Sequence, residues 1–205
     1  MADKTLIQRA KKIKLLLTDV DGVLTDGSMN FTTTPEGKFM ELKRFNAYDG
    51  VAFHILRDCG LQCGIITGGN APATEYRANA LGMNYLYYNF LSKLDPLEDL
   101  VKRTGITFEQ IAYIGEDLID YPVLQRVGLA CAVKSGCEDC KKIAHYITKK
   151  EGGQGVFREV AEMLLKAQGF WPVVIKSAEM GTIGTSPKPS LLVVNRKKAQ
   201  KECQV

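Results

Sequence analysis

Asp19 and Asp21 stand one residue apart at the end of an apolar run, in KIKLLLTDVDGVLTDG, and Asp26 follows in the same glycine-punctuated loop. A buried strand has no use for carboxylates at its tip, because a charge taken out of water without a partner is costly. Either these acids point into solvent as a turn, or something positive sits among them. Similar groups recur downstream: Thr67 precedes Gly68 and Gly69, Lys93 opens an amphipathic stretch, and Glu116, Asp117 and Asp120 follow the apolar IAYIG. Several acids with one lysine and one hydroxyl suit a hard cation and an anion together, and Mg2+ binds through one or two carboxylates while keeping water and substrate phosphate. Phosphoryl transfer uses such groups: a carboxylate nucleophile, a second acid to protonate the leaving oxygen, and cationic donors for the charge on phosphorus.

These residues meet only if the chain brings their segments to one edge. Short apolar runs alternate with amphipathic stretches, the pattern of repeated βα units. Strands are predicted over residues 13–18, 62–66, 85–88, 111–114 and 129–133, and helices over 50–58, 71–80, 94–103, 118–126, 137–144 and 156–167. Near-continuous apolar strands separated by helices predict an α/β fold, a Rossmann-like doubly wound parallel sheet covered on both faces. Ligands of such sheets bind beyond the carboxyl ends of the strands. Asp19, Thr67, Lys93 and Glu116 all follow predicted strands. Residues 26–46 break the alternation with β-branched and aromatic residues on either side of Pro35, Glu36 and Gly37, and read as a β-hairpin inserted after the first strand. Its unpaired edges would pack on another subunit or cover a site.

The chain has 205 residues, 45% apolar and 24% charged, in keeping with one globular domain. No apolar run is long enough to span a bilayer, and MADKTLIQRAKKIK has no signal-peptide core, so a cytoplasmic chain without a membrane partner is expected. The net charge of +4 arises wholly after residue 170. The expected division is a domain over residues 1–170 and a basic, partly flexible tail over 171–205, in which WPVVI and SLLVV could be short strands. The tail's NRKKAQK has no interleaved aromatics, so no nucleic-acid partner is expected. Six cysteines do not form a disulfide framework in a chain of this size, and CEDC lacks the second pair that a zinc site needs.

The motifs DVDGVLTDG, IITGG, the lysine of SKLDPLEDL and IGEDLIDYPVL, in that order, resemble motifs one to four of the haloacid dehalogenase superfamily of phosphatases. FNAYDG, the hairpin, RANALG and GGQGVFREV resemble its small capless branch, which acts on 3-deoxy-D-manno-octulosonate 8-phosphate and related nine-carbon sugar acid phosphates. The resemblance implies a phosphatase without a cap domain, a small-molecule phosphate ester as substrate, Mg2+ as cofactor and a homotetramer whose hairpins pack together. It implies Asp19 as the nucleophile that forms a phosphoaspartyl intermediate, Asp21 as general acid and then base, and Thr67 and Lys93 as holders of the phosphate. The metal shell would comprise Asp19, Val20 through its carbonyl, Asp21, Glu116, Asp117 and Asp120. Asn46, Asp49, Gly68, Gly69 and Arg158 would contact substrate.

Three positions depart from the branch: Glu116 replaces an aspartate, Gly69 an arginine, and Tyr48 another arginine. They keep open a second reading, in which the fold is retained as a tetramerisation module with weakened catalysis. Singly, each motif has a plainer explanation. A lone DxD is usually a solvated turn, GEDLID could be a helix start enriched in acids, and the glycines at 152, 153 and 155 could be a loop-to-helix junction as readily as an anion cradle.

Overall fold

The computed structural model describes residues 4–69 and 72–196. In chain order the elements are α1 (Lys4–Ala10), β1 (Leu15–Thr18), β2 (Asn30–Thr33), β3 (Phe39–Leu42), α2 (Ala47–Asp58), β4 (Gln62–Ile66), α3 (Pro72–Leu81), β5 (Tyr85–Tyr88) and α4 (Leu94–Thr104). They continue with β6 (Ile111–Gly115), α5 (Tyr121–Leu124), β7 (Leu129–Ala132), α6 (Glu138–Ile143), β8 (Tyr146–Ile147), α7 (Val156–Ala167), α8 (Trp171–Glu179) and β9 (Leu192–Asn195).

Seven strands form a parallel sheet in the order β8-β7-β6-β1-β4-β5-β9. Strands β1, β6 and β7 are buried along their whole length, which is why they read as unbroken apolar runs. Successive side chains alternate between faces. Leu16 packs with Phe53 of α2 and Val160 and Leu164 of α7, while Leu15 and Leu17 pack with Leu97 and Leu100 of α4. Phe53 and Phe157 stack at 3.9 Å between ring centroids and join α2 to α7.

The register sets the site. Thr18 lies between Ile65 of β4 and Ile114 of β6, so the residues just beyond them, Asp19, Thr67 and Glu116, emerge at one edge. The strand order reverses at β1, the switch point where ligands of such sheets bind.

The hairpin forms as expected. Asn30 pairs with Leu42 and Thr33 with Phe39 in antiparallel register, and Gly37 turns the chain at φ +77°. Met29, Phe31, Phe39, Met40 and Leu42 are exposed on it. It is the insertion between β1 and α2, and no separate cap domain occurs among the described residues. Nor is any described helix long and apolar enough to cross a membrane.

Other expectations are corrected. WPVVI is helical, within α8: Pro172 sits in the first turn, where a missing N–H costs nothing, and only Val174 is buried. SLLVV does supply a strand, β9, which pairs with β5 and hydrogen-bonds in a segment expected to be a tail into the main sheet. The helix expected over 118–126 is confined to Tyr121–Leu124, because the preceding turn is held by the Asp120 carboxylate. Elements α1 and β8 were not expected at all. Ala71, the expected start of α3, lies outside the described residues, as do Cys203 and the basic run from Lys197.

Candidate active site

Asp19 extends β1 by one residue, its N–H donating to Ile114 O at 3.0 Å, and its side chain is almost wholly buried. Lys93, immediately before α4, has a fully buried side chain whose Nζ lies 2.9 Å from Asp19 Oδ1 and 2.6 Å from Asp120 Oδ1. Burial works against the ammonium, but the two carboxylates outweigh it and hold Lys93 charged. Asp120 Oδ1 also accepts from Tyr113 OH at 2.6 Å, and Oδ2 accepts the backbone N–H groups of Glu116 at 2.9 Å and Asp117 at 3.3 Å. Asp120 is therefore committed to four donors. Expected in the metal shell, it instead anchors Lys93 and shapes the loop that carries Glu116.

Glu116 projects toward the loop after β1. A Cβ on Gly22 would stand 2.5 Å from Glu116 Cδ, so the glycine makes room for the longer acid. Asp117, by contrast, is exposed, and its Oδ1 caps Leu118 N at 2.7 Å. Of the adjacent pair of acids, Glu116 is the one turned inward. The Val20 carbonyl accepts from Leu24 N at 2.9 Å and Thr25 N at 3.0 Å, with longer bonds from Val23 N and Thr25 Oγ1, and so belongs to the turn rather than to a ligand shell. The Asp21 carbonyl accepts no hydrogen bond among the described residues.

The Asp21 carboxylate pairs through Oδ1 with Lys43, which sequence reasoning missed, and Lys43 also meets Glu41 Oε1 at 2.8 Å. Asp21 Oδ2 faces the β4 turn: a Cβ on Gly69 would lie 3.3 Å from it and 3.6 Å from Thr67 Oγ1. Thr67 Oγ1 accepts the Gly69 N–H at 3.1 Å, and Gly68 packs against Leu91.

Asn46, Asp49 and Arg158, the other side chains expected to contact substrate, have partners within the scaffold, apart from one oxygen of Asp49. Asn46 caps α2, its Oδ1 accepting Tyr48 N at 2.9 Å, and its Nδ2 donates to Gly153 O at 3.0 Å. Asp49 Oδ1 accepts Arg158 N at 2.8 Å, its Oδ2 is buried without a partner, and burial pushes it up to about 6. The Arg158 guanidinium bonds Glu162 at 2.7 Å and lies over Trp171, on the outer face of α7. The loop of Gly152 and Gly153 packs on the first-strand loop, Gly153 N donating to Val23 O at 3.0 Å, and a Cβ on Gly152 would strike Gly22 O at 2.0 Å. It is a junction, not an anion cradle. Tyr48 is exposed, with the Lys150 ammonium 5.8 Å above its ring. The CEDC cysteines are thiols, Cys137 at the start of α6 and Cys140 donating to Asp117 O at 3.2 Å.

No three acidic, histidine or cysteine side chains among the described residues already form a ligand cluster, and lysines lie against Asp19 and Asp21. The donor chemistry nevertheless fits a divalent cation. Burial pushes Asp19 up to about 7, with Lys93 pulling it back and Asp120 pushing it further. Burial likewise pushes Glu116 up to about 7, aided by the charges of Asp120, Asp117 and Asp21. Burial is the main cause of both shifts, so the ionised forms of these acids gain from added positive charge, which a hard cation would supply. The crevice can thus offer the buried Asp19 carboxylate, the Glu116 carboxylate over Gly22 in the loop that follows it, and lysine, hydroxyl and backbone donors around an anion.

The chain resembles known proteins in both sequence and fold. Residues 66–160 match the family model of the haloacid dehalogenase-like hydrolases. The chain is 42% identical over 163 residues to the 3-deoxy-D-manno-octulosonate 8-phosphate phosphatase KdsC of Yersinia pestis, covering 80% of this chain and 85% of that one. It is 40% identical over 164 residues to the Escherichia coli K12 phosphatase of that name, with the same coverage. A crystal structure of the phosphatase from Moraxella catarrhalis, in complex with a magnesium ion, a phosphate ion and a KDO molecule, superposes with a TM-score of 0.79 at 38% identity, covering 84% of this chain and 97% of that one. A probable YrbI family phosphatase from Pseudomonas syringae gives 0.80 at 38% identity, covering 86% and 98%.

Proposed function

The chain belongs to the haloacid dehalogenase-like hydrolases and is a phosphoric monoester hydrolase, and we propose that it hydrolyses 3-deoxy-D-manno-octulosonate 8-phosphate, or a closely related nine-carbon keto-sugar acid phosphate, through a phosphoaspartyl intermediate with Mg2+ bound. The observation that carries this reading is Asp19, buried at the tip of β1 with Lys93 on one oxygen, across from a Glu116 seated on Gly22.

In the first step an Asp19 oxygen attacks phosphorus, the bond from phosphorus to the ester oxygen breaks, and Asp21 gives that oxygen its proton, releasing the sugar acid as an alcohol. In the second, water attacks the phosphorus of the aspartyl phosphate, Asp21 takes the water's proton, and the bond to Asp19 breaks, releasing inorganic phosphate. Lys93, Thr67 Oγ1 and the backbone donors of the β4 turn offset charge on the phosphoryl oxygens. Asp120 and Tyr113 keep Lys93 in place. Asp19, Glu116 and the Asp21 carbonyl would hold Mg2+, which supplies charge stabilisation to the phosphoryl group.

The exposed apolar side chains of the hairpin support a homotetramer in which hairpins cover one another. The five described cysteines, all free thiols, suit the reducing cytoplasm. Phosphate release from a panel of phosphorylated sugar acids, with and without Mg2+, tests the reading. Metal-dependent turnover that Asp19→Asn abolishes supports it; turnover intact in that variant contradicts it.

A further inference from the structure

Lys43 lies just past the second hairpin strand, yet its side chain is only 4% exposed. Its ammonium takes one oxygen of Asp21, Oδ1, and also lies 2.8 Å from Glu41 Oε1. The second Asp21 oxygen, Oδ2, looks toward the turn of Thr67 and Gly69, the place of the phosphate in the mechanism above. Asp21 is itself 36% exposed at its side chain, so no close packing fixes it. The terminal torsion of an aspartate is broad and roughly two-fold, and a carboxylate without a partner would swing between orientations. Lysine on one oxygen removes that freedom and leaves the other oxygen free for the reacting group.

Glu41 argues against simple charge neutralisation. A lysine serving only to cancel Asp21 would need no second carboxylate; here Glu41 cancels the added charge and fixes the direction of the ammonium. We propose that Lys43 is a positioning residue for this reaction: from the hairpin it holds Asp21 by Oδ1, so that Oδ2 faces the leaving oxygen and then the attacking water. The inference rests on the assignment of Asp21 as acid and base under the proposed function. It also makes the hairpin part of the active centre, since the position of its second strand sets the position of Asp21.

The test is a double-mutant cycle in the full-length, Mg2+-saturated enzyme, with kcat and KM measured on the sugar acid phosphate and on an aryl phosphate, whose good leaving group keeps slow variants measurable. Misplacing a reacting group by about 1 Å can cost about a hundredfold. Lys43→Met is therefore expected to lower kcat by about 10- to 100-fold while KM stays within about threefold, and Lys43→Arg to recover most of the loss. In an Asp21→Asn background, Lys43→Met is expected to cost less than about twofold, because residues acting as a unit are non-additive. A full additional loss in that background would overturn the inference, as would a raised KM with unchanged kcat, which would make Lys43 a substrate ligand. Lys43→Arg as inactive as Lys43→Met, with an equal fall in melting temperature, would reduce Lys43 to a scaffold role. Asp21→Asn with normal turnover is a separate failure: it removes the acid–base assignment itself, and the role of Lys43 with it.

Discussion

Glu116 lays its carboxylate over Gly22, with each oxygen 2.8 Å from the point that a Cβ on the glycine would occupy. Gly22 also has φ +81°, which a side chain resists. The absent Cβ leaves room for the longer side chain of a glutamate where the resemblance leads one to expect an aspartate.

Gly22→Ala therefore meets two obstacles, a left-handed backbone costing about 1–2 kcal/mol and a collision with Glu116. The Mg2+ concentration for half-maximal activity should rise by about tenfold or more. Adding Glu116→Asp shortens the acid and should recover part of the loss. Metal titrations of the parent chain and the two variants check this; an unchanged Mg2+ dependence in Gly22→Ala would show that the seat of Glu116 does not matter.

Stability without metal should depend on pH in a defined direction. Burial raises Asp19 and Glu116 to about 7 in the folded chain, against about 4 for carboxyls in the unfolded chain. Folding thus favours their protonated forms, and that contribution is complete below about pH 4 and lost as pH rises through about 7. The metal-free melting temperature should fall between about pH 5 and about pH 8, and Mg2+ should raise it more at the upper value. Thermal melts in chelator and in Mg2+ read this out. A metal-free melt that is flat with pH, or a larger Mg2+ effect at the acid end, would contradict it.

The hairpin gives a third prediction. Phe39 is 82% exposed in the isolated chain, the most exposed large apolar side chain among the described residues. Phe39→Glu would place a charge in the surface that the proposed assembly covers. Sedimentation should show smaller species while the circular dichroism of the fold is kept. An unchanged oligomer would remove the hairpin from the interface.

Much of this site was legible in the sequence because strand tips were. Asp19, Thr67 and Glu116 follow apolar runs whose burial is real, and the parallel register carries them to one edge. Lys93 was legible for the same reason, as the residue opening a strongly amphipathic helix. The scaffold partners of Asn46, Asp49 and Arg158 were not legible, because helix-capping, first-turn and ligand-binding positions draw on the same side-chain types; only the structure shows Tyr48 N, Arg158 N and Glu162 beside them. Val20 and Asp21 differ by which carbonyl the turn consumes, which spacing does not reveal. Lys43 gave no signal, since one lysine on an exposed hairpin looks like any other until the fold brings it to Asp21. The helix at Trp171 was read as a short strand for a physical reason: a short β-branched run beside a proline suits a strand as well as the first turn of a helix, and the structure places it in α8.

The central claim is that Asp19 becomes covalently phosphorylated during turnover. Borohydride reduction of the working, Mg2+-loaded enzyme converts an aspartyl phosphate to homoserine, which peptide mass spectrometry locates. The account expects homoserine at position 19 only when substrate is present, and none in Asp19→Asn. Homoserine at another acid, or its absence at position 19 under conditions where the intermediate accumulates, would contradict it.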